Sequence, residues 1–189
     1  RASAEISQIM GSFGEDSARM VADAAEMKGL SAESRQSVMN MRAQFLAFAE
    51  SARASLNRIN YVHDVSFTTL AKVDHLIYKQ HGYRALEQGS QSESAAAIAV
   101  SADSCRFGRW FAESEKNFRL RETQAFRRLD VPHRQVHEYM QAAVSKMGQD
   151  WQSKPEVQDQ ILGELANAEQ ASVTVSRLLD EMIAEKHQM

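Results

Sequence analysis

Cysteine occurs once in the 189 residues, at Cys105. A single thiol excludes an internal disulfide, and with it a small disulfide-stapled scaffold. It fits the reducing cytoplasm. Proline is as scarce, with 2 residues, and glycine reaches only 8, so few breakers interrupt the chain. Alternating β-branched runs are missing, which leaves no pattern for a sheet. Long apolar runs are missing too. The longest, around Ala95 to Val100, is far short of the ~20 residues that span a bilayer. No signal peptide is visible. The chain opens at Arg1 rather than Met and is read as a piece of something larger, with any membrane anchor in the remainder. A formal net charge of -3 shows no basic footprint, so nucleic acid is excluded as a partner and this stretch is expected to make no membrane contact.

What fills the chain is helix former: Ala, Glu, Gln, Ser, Met and Arg are abundant, and the expected class is all-α. Hydrophobic residues at 43% are enough to bury a core without covalent help. From Met20 to about Ser66 the pattern is a heptad. One seam position carries Met20, Met27, Ser34, Met41, Phe48, Ser55 and Val62; the other carries Ala24, Ser31, Val38, Phe45, Ala52 and Ile59. A sustained period of seven predicts a long coiled-coil-like helix whose narrow stripe needs a partner. Small and polar seam residues disfavour a tight zipper and favour an antiparallel or four-helix arrangement. The plainer reading is a helix facing a core.

That helix is expected to continue through Val65, Leu70, Val73, Ile77 and Tyr78, and to break at Gly82 and the polar stretch Gln88-Gly89-Ser90-Gln91-Ser92. A helix should restart near Glu93 and run toward Trp110. A looser segment is expected from Ser114 to Glu122, then a short helical piece at Phe126 and Leu129. Asp130-Val131-Pro132 reads as a helix start, by a capping Asp and an early Pro, for a helix ending near Gly148. Pro155 should open the last helix, with a stripe of Val157, Ile161, Leu162, Leu165, Ala168, Val175, Leu178, Leu179 and Met182. The coarse total is four or five helices.

His133 and His137 stand four apart, on one face of a helix, where both imidazoles can reach one ion. A zinc protease would carry Glu directly after the first His; Arg134 stands there and removes that reading. Cys105 lies in Cys105-Arg106-Phe107-Gly108-Arg109-Trp110 and is either a thiolate ligand or a small buried hydrophobe. His75, beside Leu76 and Ile77, is by itself an ordinary core or boundary histidine. His81 fits a cation at a helix C-terminus, and His63 and His187 are given no role.

Taken together, Val73-Asp74-His75 with Tyr78-Lys79, the Cys105–Trp110 run and the His133/His137 pair resemble the chemoreceptor zinc-binding domain. That bacterial family is marked by a distant His, a Cys-x-x-Gly-x-Trp motif and a His-x-x-x-His pair, in this order. The resemblance covers roughly Ser55 to Lys186. It implies a four-helix bundle and a buried Zn2+ site of three His and one Cys, here His75, Cys105, His133 and His137. It also implies a cytoplasmic signalling protein, often a homodimer, that senses zinc or hypochlorous-type oxidants through Cys105 as a redox switch. The long first helix looks most like versions that end a methyl-accepting chemotaxis receptor. Residues 1–54 are then the tail of the receptor signalling helix and 55–189 the zinc-binding bundle, with a chemotaxis kinase and coupling protein as indirect partners. The kinase-contacting tip of such a receptor is not recognisable in this chain.

Four protein ligands saturate tetrahedral zinc and leave no position for a substrate or activated water, so no enzyme is expected. Asp74, Asp103 and Asp130 are near ligands in sequence and are candidates to accept a ligand's second N–H. Gly108 is expected to allow close backbone approach and Trp110 to pack over the site; their plain alternatives are a helix irregularity and a core aromatic. Other readings are a zinc-responsive domain restraining a diguanylate cyclase, a purely structural helical dimerisation segment, and a zinc enzyme.

Overall fold

The computed structural model describes residues 2–114, 118–148 and 150–188. Among them every regular element is helical, as the scarcity of breakers and β-branched runs requires. The chain divides into two compact units, Arg1–Asn57 and Arg58–Met189. Helix α1 (Ala2–Gln88) contributes to both. In the first unit α1 buries nothing. The seam residues Met20, Met27, Val38, Phe45 and Phe48 are all exposed, so the heptad stripe has no partner among the described residues of that unit.

The second unit is a helical bundle. The α1 residues Thr68, Ala71, His75, Lys79, Gly82 and Ala85 are buried, at the spacings of three and four that make one helix face. The expected break at Gly82 does not occur. A Cβ there would lie 2.1 Å from Met140 Sδ, so the glycine serves close packing inside the helix. The break comes at Gly89, whose φ of 95° lets its N–H return to the Ala85 carbonyl at 2.8 Å, a glycine C-cap. His81 therefore sits well inside α1 rather than at its end.

Helix α2 (Glu93–Ile98) opens on Ser92, whose hydroxyl accepts from Ala95 N. It does not run on to Trp110. The Ile98 carbonyl accepts from Tyr78 Oη and Gln141 Nε2 at 3.0 Å each. The Val100 carbonyl accepts from His137 Nδ1 at 2.9 Å and Gln141 Nε2 at 3.1 Å. Side chains from other helices thus take the carbonyls that a continuing helix would use, and the chain turns until α3 (Arg106–Ser114) begins. Part of the expected looser segment, residues 115–117, lies outside the described residues; α4 (Phe118–Glu122) follows.

Helix α5 (Gln124–Ser145) starts earlier than Asp130 and carries Pro132 in its interior. Thr123 Oγ1 caps it by accepting from Phe126 N, and Phe126 and Leu129 are buried. Those contributions offset the one helical hydrogen bond that proline removes. After two short 3-10 turns, Lys146–Gly148 and Trp151–Ser153, α6 (Pro155–Gln188) closes the bundle. Its stripe is buried as expected from Val157 to Met182, except that Leu162 is 63% exposed.

Side-chain pairs fix the packing. Lys186 with Asp64, Lys72 with Asp180, and Lys79 with Glu169 tie α1 to α6; the order of the partners makes the two antiparallel. Ala125 N with Glu185 Oε2, and Lys146 with Glu164, do the same for α5 and α6. One core cluster gathers Phe107, Leu129, Val136, Leu178, Leu179 and Met182. A second gathers Ile98, Met140, Ile161 and Ala168. Each of the larger side chains among them contributes about 1.5–3 kcal/mol on burial. The short helices α2 and α3 supply Ile98 and Phe107 to these cores and stand where one continuous helix from Glu93 toward Trp110 was expected. No helix among the described residues is long and apolar enough to cross a membrane.

Candidate metal centre

His75 projects from the buried face of α1, and His133 and His137 from the buried face of α5. Cys105 sits immediately before α3 and is half-buried. The structure brings these four together: one ligand atom from each lies within 4.8 Å of every other. The three imidazoles stand nearly perpendicular to one another, with centroids 5.1 Å apart for His75–His133 and His133–His137 and 5.8 Å for His75–His137. Cys105 Sγ is 3.3 Å from His133 Nε2.

The hydrogen bonds on the far side of two rings choose the tautomer. His75 Nδ1 lies 2.7 Å from the Ala71 carbonyl and His137 Nδ1 2.9 Å from the Val100 carbonyl. A carbonyl only accepts, so both Nδ1 atoms carry the proton and both Nε2 atoms are bare. Those two Nε2 atoms are buried without a partner. An unsatisfied buried acceptor is costly, and a bare imidazole nitrogen is what a metal ion uses. Burial also keeps the rings neutral: it pushes His133 down to about 3 and His137 to about 4, helped by the neighbouring imidazoles, and lowers His75.

Cys105 acts as the cap of α3. Gly108 N donates to Sγ at 3.2 Å. A Cβ on Gly108 would lie 1.9 Å from the Ala102 carbonyl oxygen, so only glycine lets the turn before Cys105 fold back on α3. Burial pushes the Cys105 thiol up, against the pull of the Gly108 and Phe107 N–H groups; without a cation beside it the sulfur keeps its proton.

Of the other residues singled out, Asp74 does not serve the imidazoles. Its Oδ2 lies 3.3 Å from Arg106 Nε. Asp103 and Asp130 both pair with Arg134. The carboxylates thus answer arginines, and backbone carbonyls take the role expected of them. Phe107, not Trp110, shields the cluster, with its ring edge-on 4.7 Å from His133 and 5.7 Å from His75. Trp110 lies behind it, 5.5 Å from Phe107 and stacked on Phe67 at 4.5 Å. Tyr78 covers His137 at 4.3 Å. On one side a cavity of about 360 Å³ is lined by His75, Tyr78, His81, Cys105, Arg109 and His137. His81 Nδ1 is buried there without a partner, a feature that its sequence setting did not signal.

Three nitrogens and a thiol sulfur are the donor set that zinc prefers in closed tetrahedral sites. An ion with bonds of about 2.0–2.3 Å sets neighbouring ligand atoms about 3.3–3.6 Å apart. The Cys105–His133 pair already has that spacing at 3.3 Å, and every other pair lies within 4.8 Å. Residues 75–144 match the family model of the chemoreceptor zinc-binding domain. The matched stretch opens at His75 and contains all four cluster residues. No curated protein and no solved structure matches the chain. The residues whose ligand atoms converge all lie within the matched stretch.

Proposed function

We propose that this chain is a cytoplasmic zinc-binding sensory segment of a bacterial chemoreceptor, with His75, Cys105, His133 and His137 as the ligands. The observation that carries the reading is the pair of buried, partnerless Nε2 atoms on His75 and His137, within reach of Cys105 and His133. A bound zinc ion would hold Cys105 as thiolate and cross-link α1, α5 and the loop that carries Cys105. With four protein donors the site is closed, which supports a sensory rather than a catalytic role.

Cys105 is the responsive group. Cys105 is half-buried and lines the cavity beside the cluster, which supports access by a small oxidant without unfolding. With hypochlorous acid the thiolate sulfur gives up two electrons and gains the oxygen as sulfenic acid, and chlorine leaves as chloride. A sulfenic sulfur is a poorer donor than thiolate. The loop at Cys105 is then freed from the imidazoles, and α1, which carries His75, repacks against α5. Residues 1–54 act as the tail of the receptor's signalling helix. Their exposed heptad stripe is covered by a second copy of the chain, and the signal passes through that helix to the chemotaxis kinase and its coupling protein.

Elemental analysis of the purified parent, Cys105→Ala and His133→Ala tests the reading. About one zinc per parent chain and strongly reduced zinc in both variants is expected. A parent that takes up no zinc even when supplied would sink it.

A further inference from the structure

We propose that Arg134 is a positioning residue that pins the Cys105 loop onto α5 and so sets how firmly the cluster retains its ion. The inference rests on the zinc reading. It starts from the way residues 99–105 are held. They belong to no helix, and apart from Cys105 itself, which meets His133, the loop is fastened to α5 at two points. At Val100 the carbonyl accepts from His137 and Gln141. At Asp103, two residues before the thiol, the partner is Arg134: Nη2 donates to Oδ1 at 2.6 Å and Nη1 to Oδ2 at 3.1 Å.

The guanidinium is oriented before it meets the loop. Its Nε donates to both oxygens of Asp130, one turn earlier on α5, at 3.0 and 3.1 Å. A planar fork held along one edge by its own helix gives up little freedom when its other edge captures a carboxylate. Arg134 follows His133 directly in sequence, yet its hydrogen bonds go to the two aspartates and to neither a ring nitrogen nor the sulfur. Its hydrogen bonds reach the cluster through the loop, beside the direct push of its charge on the neighbouring His133.

Exposure makes the effect separable from folding. Side-chain exposure is 43% for Arg134 and 72% for Asp103, and exposed pairs contribute little to global stability. A loop with few backbone bonds of its own feels such a clamp where the bundle does not. When the clamp is cut, Cys105 samples positions away from His133, and the ion is lost faster.

The test uses the full chain with Arg134→Gln, Asp103→Asn, the double variant and Arg134→Lys. Zinc affinity is read by competition with a chromophoric chelator, retention by the rate of transfer to excess chelator, and the metal-free fold by thermal melting. Each single variant is expected to weaken affinity about five- to tenfold, at the lower edge of what groups supporting metal ligands contribute, mostly as faster loss. The double variant should be no worse than either single, since both remove one interaction. Arg134→Lys should fall between, because an ammonium cannot bridge both carboxylates as the fork does. Metal-free melting should stay at the parent value. Affinity and loss rate within twofold of the parent in both singles would overturn the inference and leave the zinc reading intact. So would a parallel drop in metal-free melting, which would make the clamp a general fold contact. A parent that binds no zinc would overturn both.

Discussion

Three imidazoles share one buried point in the second unit, and burial decides their charge. In the folded metal-free chain His133 is held down to about 3 and His137 to about 4, whereas an unfolded histidine titrates near 6.5. Between those values the unfolded chain binds more protons than the folded one, so stability rises with pH across that window. Lowering the pH from 7 toward about 4 should therefore destabilise the metal-free chain before most carboxylates titrate, each unit of separation being worth about 1.4 kcal/mol. Urea unfolding of the metal-free chain at pH 7 and pH 5 measures this; a midpoint that does not move would contradict it. Replacing His133 and His137 together by Gln should flatten the dependence. Spacing alone marked His133 and His137 in the sequence; His75 and Cys105 joined them only through the resemblance to the chemoreceptor zinc-binding domain. Their supporting groups were not legible. The Ala71 and Val100 carbonyls that orient His75 and His137 are backbone atoms, which no letter of the sequence marks. The aspartates near the ligands were legible as candidates, but which cation each would meet depended on the fold.

At the scale of the element, the junction of the Cys105 loop with α3 has the least tolerance. Gly108 packs its Cα against the Ala102 carbonyl, where a methyl would sit 1.9 Å from the oxygen. That neighbour is backbone and cannot rotate away. Gly108→Ala should therefore shift the whole turn before Cys105 and lower zinc affinity by tenfold or more, while the helical content of the bundle, read by circular dichroism, stays near the parent's. Parent-like affinity would show that the turn can move without cost to the site. Gly82 makes the contrast, because its near neighbour is the end of the Met140 side chain, which can swing aside. Helix existence was readable from periodicity; helix ends were not. Gly82 looked like a breaker because composition does not reveal what packs opposite it. The stretch from Glu93 to Trp110 looked continuous because the groups that take the Ile98 and Val100 carbonyls, Tyr78, His137 and Gln141, lie far away in sequence. Asp130 and Pro132 looked like a start because Thr123, the cap in use, stands before a segment with weak periodicity.

Across the molecule, the buried residues among those described all fall in the unit Arg58–Met189, which holds both core clusters and all four candidate ligands. Residues 58–189 produced alone should therefore fold and take up zinc as the full chain does. Zinc at about 100 times its dissociation constant adds about 2.7 kcal/mol to such a unit. Removing it with a chelator should lower the melting temperature by roughly 5–10 °C for a chain of this size. A fragment that melts at the same temperature with and without zinc would show that the ion does not bind preferentially to the folded unit. The all-α class was legible from composition, and the heptad of the first helix from its period.

The polar turn after Gln88 separates the segment of His75 from that of Cys105 without touching the cluster. Closing a chain loop costs free energy only as the logarithm of its length, about 0.6 kcal/mol for each doubling. Extra residues spliced in around Ser90 would thus leave the two sulfur- and nitrogen-bearing walls almost as easy to bring together. Spacing inside the Cys105–Gly108 and His133–His137 runs has no such freedom, because each is set by a helix turn. Tolerance to lengthening is therefore expected at the tip of the α1–α2 connection, and a tag or a reporter domain placed there would ride on the bundle without entering the cluster.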